Sequence, residues 1–199
     1  TATADPQEGK RLGSVGRMLP GMTARILNPD TMIGQDPGVQ GMVVLRGANV
    51  FGGYLSDEEK TRDAFHEGWF VTGDLGRIDE DGFLWIEGRL SRFSKIGGEM
   101  VPHGTIEQRL IEAFDLDQSG GYVVVVLGVP DAQKGEALVL LTTLPLTAEE
   151  VREKLASAGL ANLWIPRIVH RVETIPVLGT GKLDLKGCRQ IAVEAQRSA

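Results

Sequence analysis

Gly68-Trp69-Phe70-Val71-Thr72-Gly73-Asp74 is followed, one hairpin later, by Gly88-Arg89-Leu90-Ser91-Arg92-Phe93-Ser94-Lys95-Ile96-Gly97-Gly98-Glu99, and the rest of the chain is organised around these two stretches. In the first, a carboxylate comes directly after a glycine, which permits a tight backbone turn. In the second, arginines and a lysine are interspersed with glycines. Together they offer an acidic acceptor and planar cationic donors, the groups that a ribose diol and its phosphates require. Each residue also has a plainer reading. Asp74 can be an Asx-turn aspartate, and Arg89 a solvated arginine at a strand end.

N-terminal to this stretch the chain reads as β-rich. Residues 22–28 alternate weakly as a strand that Pro29-Asp30 closes. A second strand, 41–46, follows the Asp36-Pro37-Gly38 turn. Ser56 with Glu59 has the spacing of a capping box for a helix through Phe65. Strands are expected at 69–71, 75–79 and 83–88, the last two joined by Asp79-Glu80-Asp81-Gly82. The segment Gly13-Ser14-Val15-Gly16-Arg17 reads as a turn: no strand precedes it and no amphipathic helix follows, so it is not a dinucleotide fingerprint.

After Arg89 the pattern changes. A basic, glycine-containing linker is expected to run to Pro102, which opens a helix over 102–114 with Ile106, Leu110, Ile111 and Phe114 on one face. The continuous apolar run Tyr122–Gly128 predicts a central strand, Val129-Pro130-Asp131 a turn, and Glu136–Thr143 another strand. Thr147 with Glu150 predicts a capped helix through Ala158, with Val151 and Leu155 inward. A short strand over 168–172, a loop over 176–181 and a helix over about 184–196 complete the chain. The expected fold is α+β: a small β-barrel-like subdomain over 1–90, then a compact α+β domain over 91–199 with helices packed on a small sheet.

The totals exclude several functions. The formal net charge of −6 leaves no basic field for nucleic acid. The longest apolar runs fall well short of the roughly 20 residues that span a bilayer. A single cysteine, Cys188, rules out an internal disulfide framework and a cysteine-based zinc site. His66, His103 and His170 have no partners at metal-ligand spacing, so no metal site is expected. None of them has an aspartate five positions later, so an HxxxxD acyltransferase motif is missing. The polar start carries no signal peptide, and the expected location is cytoplasmic. The lack of an initial methionine predicts a segment of a longer protein.

Lys182 lies in Gly179-Thr180-Gly181-Lys182. The match to a P-loop fails, because Pro176 stands where a glycine is needed and Leu183 where Ser or Thr is needed. Lys182 is therefore a cation on a glycine loop, either solvated or reaching a phosphate or carboxylate from outside.

Taken together and in order, Gly13–Arg17, Gly53-Tyr54, Trp69–Asp74, Asp81-Gly82-Phe83, Gly88-Arg89 and Pro176–Lys182 resemble the adenylate-forming superfamily of acyl-CoA synthetases, luciferases and peptide-synthetase adenylation domains. The likeness covers nearly the whole chain, but only the later part of such an enzyme. The superfamily's Ser/Thr/Gly-rich phosphate loop and its Tyr-Gly-x-Thr-Glu motif are not in this sequence. The resemblance implies that 1–90 is the last subdomain of the AMP-binding domain and 91–199 the mobile C-terminal domain. It implies that Asp74 holds the ribose hydroxyls of ATP and acyl-adenylate, and that Arg89 contacts ribose or phosphate. Lys182 would bridge the acyl carboxylate and the α-phosphate during adenylation. Arg92 matches the hinge, a position where many members carry Asp or Lys. Gly97 and Gly98 would line the approach of a pantetheine thiol. Mg2+ would be held by the part of the enzyme that lies upstream.

At finer grain, Phe93–Val101, Lys134–Leu140 and Ile165-Pro166-Arg167 resemble the acyl-acyl-carrier-protein synthetase half of bifunctional 2-acylglycerophosphoethanolamine acyltransferases, in which a membrane-embedded acyltransferase domain precedes the ligase. This implies a fatty acid ligase that charges acyl carrier protein and feeds lysophospholipid acylation. The alternatives are an acyl-CoA synthetase that uses free CoA and a non-catalytic carrier-protein docking module. On any ligase reading, residues 1–199 alone are expected to be inactive.

Overall fold

The apolar residues collect into cores on either side of Ser91 and Arg92, where a computed structural model of the chain divides into two compact units. The structure describes residues 10–117 and 119–198.

The first unit is an antiparallel sheet. Its elements are β1 (Met22–Leu27), β2 (Gly41–Gly47), the short helix α1 (Glu58–Asp63), β3 (Phe65–His66), β4 (Trp69–Ile78) and β5 (Leu84–Arg89). The strand order is β1-β2-β4-β3, with β5 also paired to β4. Ile26, Val43 and Leu84 are buried at its centre against Met18, Leu45 and Ile78. The strands expected at 69–71 and 75–79 are one strand, β4, interrupted by a bulge that keeps its two halves on β2. The Asp79–Gly82 turn forms as expected: Asp79 Oδ1 accepts the amides of Asp81 and Phe83, and Gly82 takes φ +81°. The start of α1 differs. Ser56 is left-handed at φ +53°, so the capping role passes to Asp57, whose Oδ1 accepts the Lys60 amide at 2.9 Å.

The second unit begins with β6 (Phe93–Ile96) and β7 (Glu99–Pro102), then α2 (His103–Phe114). β8 (Val124–Asp131), β9 (Gly135–Thr142), α3 (Ala148–Ser157), β10 (Ile168–Arg171) and α4 (Leu185–Ser198) follow. The segment expected as a linker is thus mostly the β6–β7 hairpin. Gly97 and Gly98 are its two-residue turn, with φ +59° and +89°, and consecutive positive φ values give the turn whose twist matches that of the flanking strands.

The expectation of a central strand at 122–128 is corrected. β9 is central, pairing antiparallel with β8, parallel with β10 and, at Gly135, with β6. Among the described residues β8 pairs with β9 alone, yet it is buried on both faces, which is why its sequence reads as a continuous apolar run. Val124 and Val126 face a core built with Ile106 and Leu110 of α2 and Val151 and Leu155 of α3. Val125, Leu127 and Val129 face the opposite core with Cys188 and Ala192 of α4. Each such aliphatic side chain contributes about 1.5–3 kcal/mol on burial. Pro130 lies within β8 rather than in a turn, as an edge strand allows. The turn falls two residues later, where Asp131 Oδ1 accepts the amides of Gln133 and Lys134. The Thr147/Glu150 capping box is present at the start of α3, and Val151 and Leu155 are fully buried. Among the described residues no helix is long and apolar enough to cross a membrane.

Candidate functional site

Asp74 is placed by a bulge. Val44 pairs with Val71 and Met42 with Leu75, so Thr72, Gly73 and Asp74 together stand opposite the single residue Val43. The surplus is absorbed in two ways. Gly73 adopts φ +75°, which a side chain would resist. The Thr72 hydroxyl donates to the Val43 carbonyl at 2.7 Å and accepts the Asp74 amide at 3.0 Å, taking the place of ladder hydrogen bonds. Asp74 then returns to the ladder opposite Arg89. A second bulge follows at once: Leu75 pairs with Gly88 and Gly76 with Ile86, leaving Glu87 extra on β5. At Gly76 the strands approach so closely that a Cβ would sit 2.3 Å from the Trp85 carbonyl oxygen.

Across this ladder Arg89 Nε lies 3.0 Å from Asp74 Oδ1. The Asp74 side chain is 27% exposed and the Arg89 side chain 71%, so the pair lies at the surface of its unit. One fixed carboxylate with an oxygen to spare, beside a fork of donors, can accept from a diol and donate to an adjoining oxyanion. Trp69 and Phe70 frame the bulge without being core residues. Both are half-buried; Arg25 stacks over Trp69 at 4.6 Å, and Phe70 joins an aromatic group with Phe51 and Phe65.

Lys182 belongs to the second unit. Val177 bridges to Leu183, the Leu178 amide donates to the Lys182 carbonyl at 2.7 Å, and Gly181 turns with φ +78°. The base of this loop is fixed to α4. The Asp184 carboxylate accepts the Gly187 amide, and Cys188 points its thiol at the Pro176 carbonyl. Burial, followed by the charge of Asp184, pushes the Cys188 thiol up, which suits packing rather than nucleophilic chemistry. Lys182 itself is exposed and has no ion-pair partner among the described residues. It is thus a free cation on a short, well-founded loop.

Gly97 and Gly98 are exposed, and a Cβ on either would meet nothing within 4 Å. Their turn is braced on both sides: the Gly97 amide donates to the Lys134 carbonyl, and Glu99 accepts from the Trp164 indole at 2.7 Å. The Arg92 side chain turns into its own unit. Its guanidinium pairs with Glu107 of α2 and also donates to the Val126 carbonyl of β8, leaving the side chain 22% exposed. Nearby, the buried Ser94 hydroxyl and His103 Nε2 lie 2.8 Å apart.

The structure therefore brings Asp74 and Arg89 together, and it places Arg92, Gly97, Gly98 and Lys182 in the other unit. Sequence reading missed Thr72 as the anchor of the bulge, although a hydroxyl residue directly before Gly-Asp was a usable signal. It also missed Glu107, for which no local signal exists.

Comparison with known proteins gives two family matches: the AMP-binding enzyme model over residues 1–55 and the AMP-binding enzyme C-terminal domain model over residues 111–182. A probable CoA ligase, CCL9, of Humulus lupulus is 35% identical over 88% of this chain and 33% of its own length. A 2-succinylbenzoate–CoA ligase of Bacillus licheniformis is 32% identical over 92% of this chain and 37% of its own. ATP-bound MatB from Rhodopseudomonas palustris superposes with a TM-score of 0.70 at 32% identity, over 97% of this chain and 38% of that one. The chain spans about a third of the length of the curated relatives it matches.

Proposed function

We propose that this chain, which matches the models of both the AMP-binding enzyme and its C-terminal domain, is the later part of an ATP-dependent acid–thiol ligase of the adenylate-forming enzymes whose acceptor is coenzyme A. The observation that carries the reading is the Asp74–Arg89 pair on its double bulge. It supplies the acceptor and donors for an adenosine ribose and its phosphate on a rigid ladder. Residues 1–90 are the last part of the nucleotide-binding domain, and 91–199 are the mobile C-terminal domain.

In the first half-reaction a carboxylate oxygen of the acid attacks the α-phosphorus of ATP. The bond from that phosphorus to the bridging oxygen breaks, and pyrophosphate leaves with the electron pair. Asp74 accepts hydrogen bonds from the ribose hydroxyls and Arg89 donates to ribose or phosphate oxygens. Lys182 lies between the acid carboxylate and the α-phosphate, where its charge offsets the negative charge that accumulates as they approach. In the second half-reaction the thiol sulfur attacks the acyl carbonyl carbon, AMP departs and the thiol proton goes to solvent. Lys182 is withdrawn by a rotation near Arg92, and the Gly97-Gly98 turn, with no side chain to obstruct it, lines the approach of the pantetheine arm. The Mg2+ that accompanies ATP would be held by its phosphates and by the part of the enzyme upstream of these residues.

Coenzyme A is preferred because the named relatives are CoA ligases. A carrier-protein thiol is the second reading, favoured by the resemblance of Phe93–Val101 and Lys134–Leu140 to acyl-acyl-carrier-protein synthetases. The deciding experiment uses the full-length enzyme with a panel of carboxylic acids. Pyrophosphate exchange tests the first half-reaction, and thioester formation is compared with free coenzyme A and with holo acyl carrier protein. Exchange followed by transfer to coenzyme A supports the proposal. Transfer to carrier protein alone replaces the acceptor, and the lack of acid-dependent exchange removes the ligase reading.

A further inference from the structure

Among the described residues of the second unit three large apolar side chains are exposed, Tyr122, Val177 and Leu178, and two of them are consecutive on the loop that carries Lys182. The loop is a tight hairpin. Val177 bridges to Leu183, and the Asp184 amide donates to the Pro176 carbonyl at 3.0 Å. The Leu178 amide donates to the Lys182 carbonyl at 2.7 Å, and the Leu178 carbonyl accepts the Gly181 amide at 2.8 Å. Side chains directly opposite each other in such a ladder share a face, and successive ones alternate. Val177 and Leu183 are therefore on one face, Leu178 and Lys182 on the other. Leu183 packs against the core that holds Ile175 and Cys188, so its face is turned inward. Leu178 and Lys182 are turned away from that core, side by side, with Leu178 49% exposed. Polar residues and glycine are the usual occupants of a hairpin tip. A leucine there forfeits the stabilisation that burial would give it. The packing of the second unit supplies no reason for it, since Leu178 joins neither of that unit's cores.

We infer that Leu178 is a positioning residue for adenylate formation: carried to the reacting atoms beside Lys182, it keeps water from the lysine ammonium and from the acyl-adenylate. This rests on the reading of Lys182 as the cation between the acid carboxylate and the α-phosphate. A lysine's charge acts more strongly where the surroundings are apolar, and a neighbouring leucine excludes water without adding a competing hydrogen-bond partner. The mixed anhydride formed there is open to attack by water. The water oxygen would add to the acyl carbon, and the bond from that carbon to the phosphate oxygen would break. AMP would leave with the electron pair, and the water protons would pass to solvent. The acid is then returned and one ATP is cleaved without product. Gly179, Thr180 and Gly181 offer no large apolar side chain at the tip, so on this face the shielding falls to Leu178.

The test uses the full-length enzyme without a thiol acceptor and compares acid-dependent pyrophosphate exchange with the rate at which free AMP appears. Leu178→Asn keeps the side chain close in size but makes it polar. The ratio of AMP release to exchange should rise by about tenfold, near the lower end of what one apolar group contributes in an enclosed site. The unfolding midpoint should stay near that of the parent, because Leu178 is exposed and outside both cores. Leu178→Met, unbranched but apolar, should restore the parent ratio. Val177→Asn puts the same polar group one residue away, on the opposite face, and should leave the ratio unaltered. A parent-like ratio in Leu178→Asn would overturn the shield. An equal rise in Val177→Asn would also overturn it, by making apolarity a general requirement of the loop. A lowered midpoint with the ratio unchanged would assign Leu178 to the fold alone. Should the parent itself show no acid-dependent exchange, the ligase reading falls and the shield with it. Exchange in the parent with an unchanged ratio in Leu178→Asn removes the shield and leaves the ligase reading standing.

Discussion

Asp74 and Arg89 are partners twice over: their backbones are opposite each other in the β4–β5 ladder, and Arg89 Nε lies 3.0 Å from Asp74 Oδ1. With Arg89 71% exposed, solvent screens this contact, and pairs of this kind contribute only about 0–1 kcal/mol to stability. Its value is in orientation. Asp74→Asn should leave the unfolding midpoint of the intact enzyme nearly unchanged. The kcat/KM for ATP should fall by about 10- to 100-fold, the usual effect of losing hydrogen bonds to a charged acceptor. Pyrophosphate-exchange kinetics alongside thermal unfolding check both halves. A large loss of stability with ATP kinetics intact would assign Asp74 to the fold alone.

Lys182→Ala separates the two half-reactions. The lysine is exposed and makes no ion pair among the described residues, so folding should be unaffected. Adenylate formation should fall by about 100- to 1,000-fold, the scale of removing one charge-stabilising group from a transition state. Thioester formation from chemically prepared acyl-adenylate should persist at near the original rate. Equal losses in both steps would contradict the proposed withdrawal of Lys182, and no loss in either would favour a docking module.

How much of this was legible in the sequence depended on the range of each interaction. The Thr147/Glu150 box, the inward face of α2 and the Asp79–Gly82 turn are local patterns, and they appear where the spacing puts them. Asp74 was legible as a candidate because Gly73 precedes it, but not the bulge, which depends on pairing with Val43 some thirty positions away. The β6–β7 hairpin was mistaken for a linker because its strands are only four residues long and Lys95, following Arg89 and Arg92, reads as solvated chain. The central position of β9 was hidden because β8, covered on both faces by helices, is equally apolar. The Arg92–Glu107–Val126 contact joins residues far apart along the chain, and no pattern within a single element encodes it.

His103 makes the second unit sensitive to acid. Burial first, then the cations Arg92 and Arg189, lower its pKa from 6.5 to about 3, and Nδ1 is buried without a partner. The folded chain therefore stays neutral at this residue while the unfolded chain takes up a proton below about pH 6.5. The stability is fully present above that value. It is lost on acidification toward pH 3 at about 1.4 kcal/mol per pH unit, or about 2 kcal/mol by pH 5. Urea unfolding at pH 7 and pH 5 should show this drop in the parent. The drop should be smaller by about 2 kcal/mol in His103→Asn, which cannot titrate. Identical pH dependence in both proteins would mean that His103 is already accommodated as a cation.

Gly128 on β8 has no room for a methyl group because of Ser94. A Cβ there would lie 1.9 Å from the Ser94 hydroxyl oxygen and 2.9 Å from Glu136 Oε1. The hydroxyl cannot turn aside without giving up His103 Nε2, 2.8 Å away, and Glu136 is held by the Lys95 amide. Gly128→Ala should therefore cost about 1–3 kcal/mol, the range for overpacking a close-packed interior. The Ser94→Gly change alone should also destabilise, since it strands the His103 nitrogen. Combined, the two should cost less than their sum by about 1 kcal/mol or more, because the alanine methyl at 128 enters the space vacated by the hydroxymethyl group. Denaturant unfolding of the two single variants and the double variant measures that coupling, and strictly additive costs would show that β6 and β8 do not make the close approach that places Ser94 against Gly128.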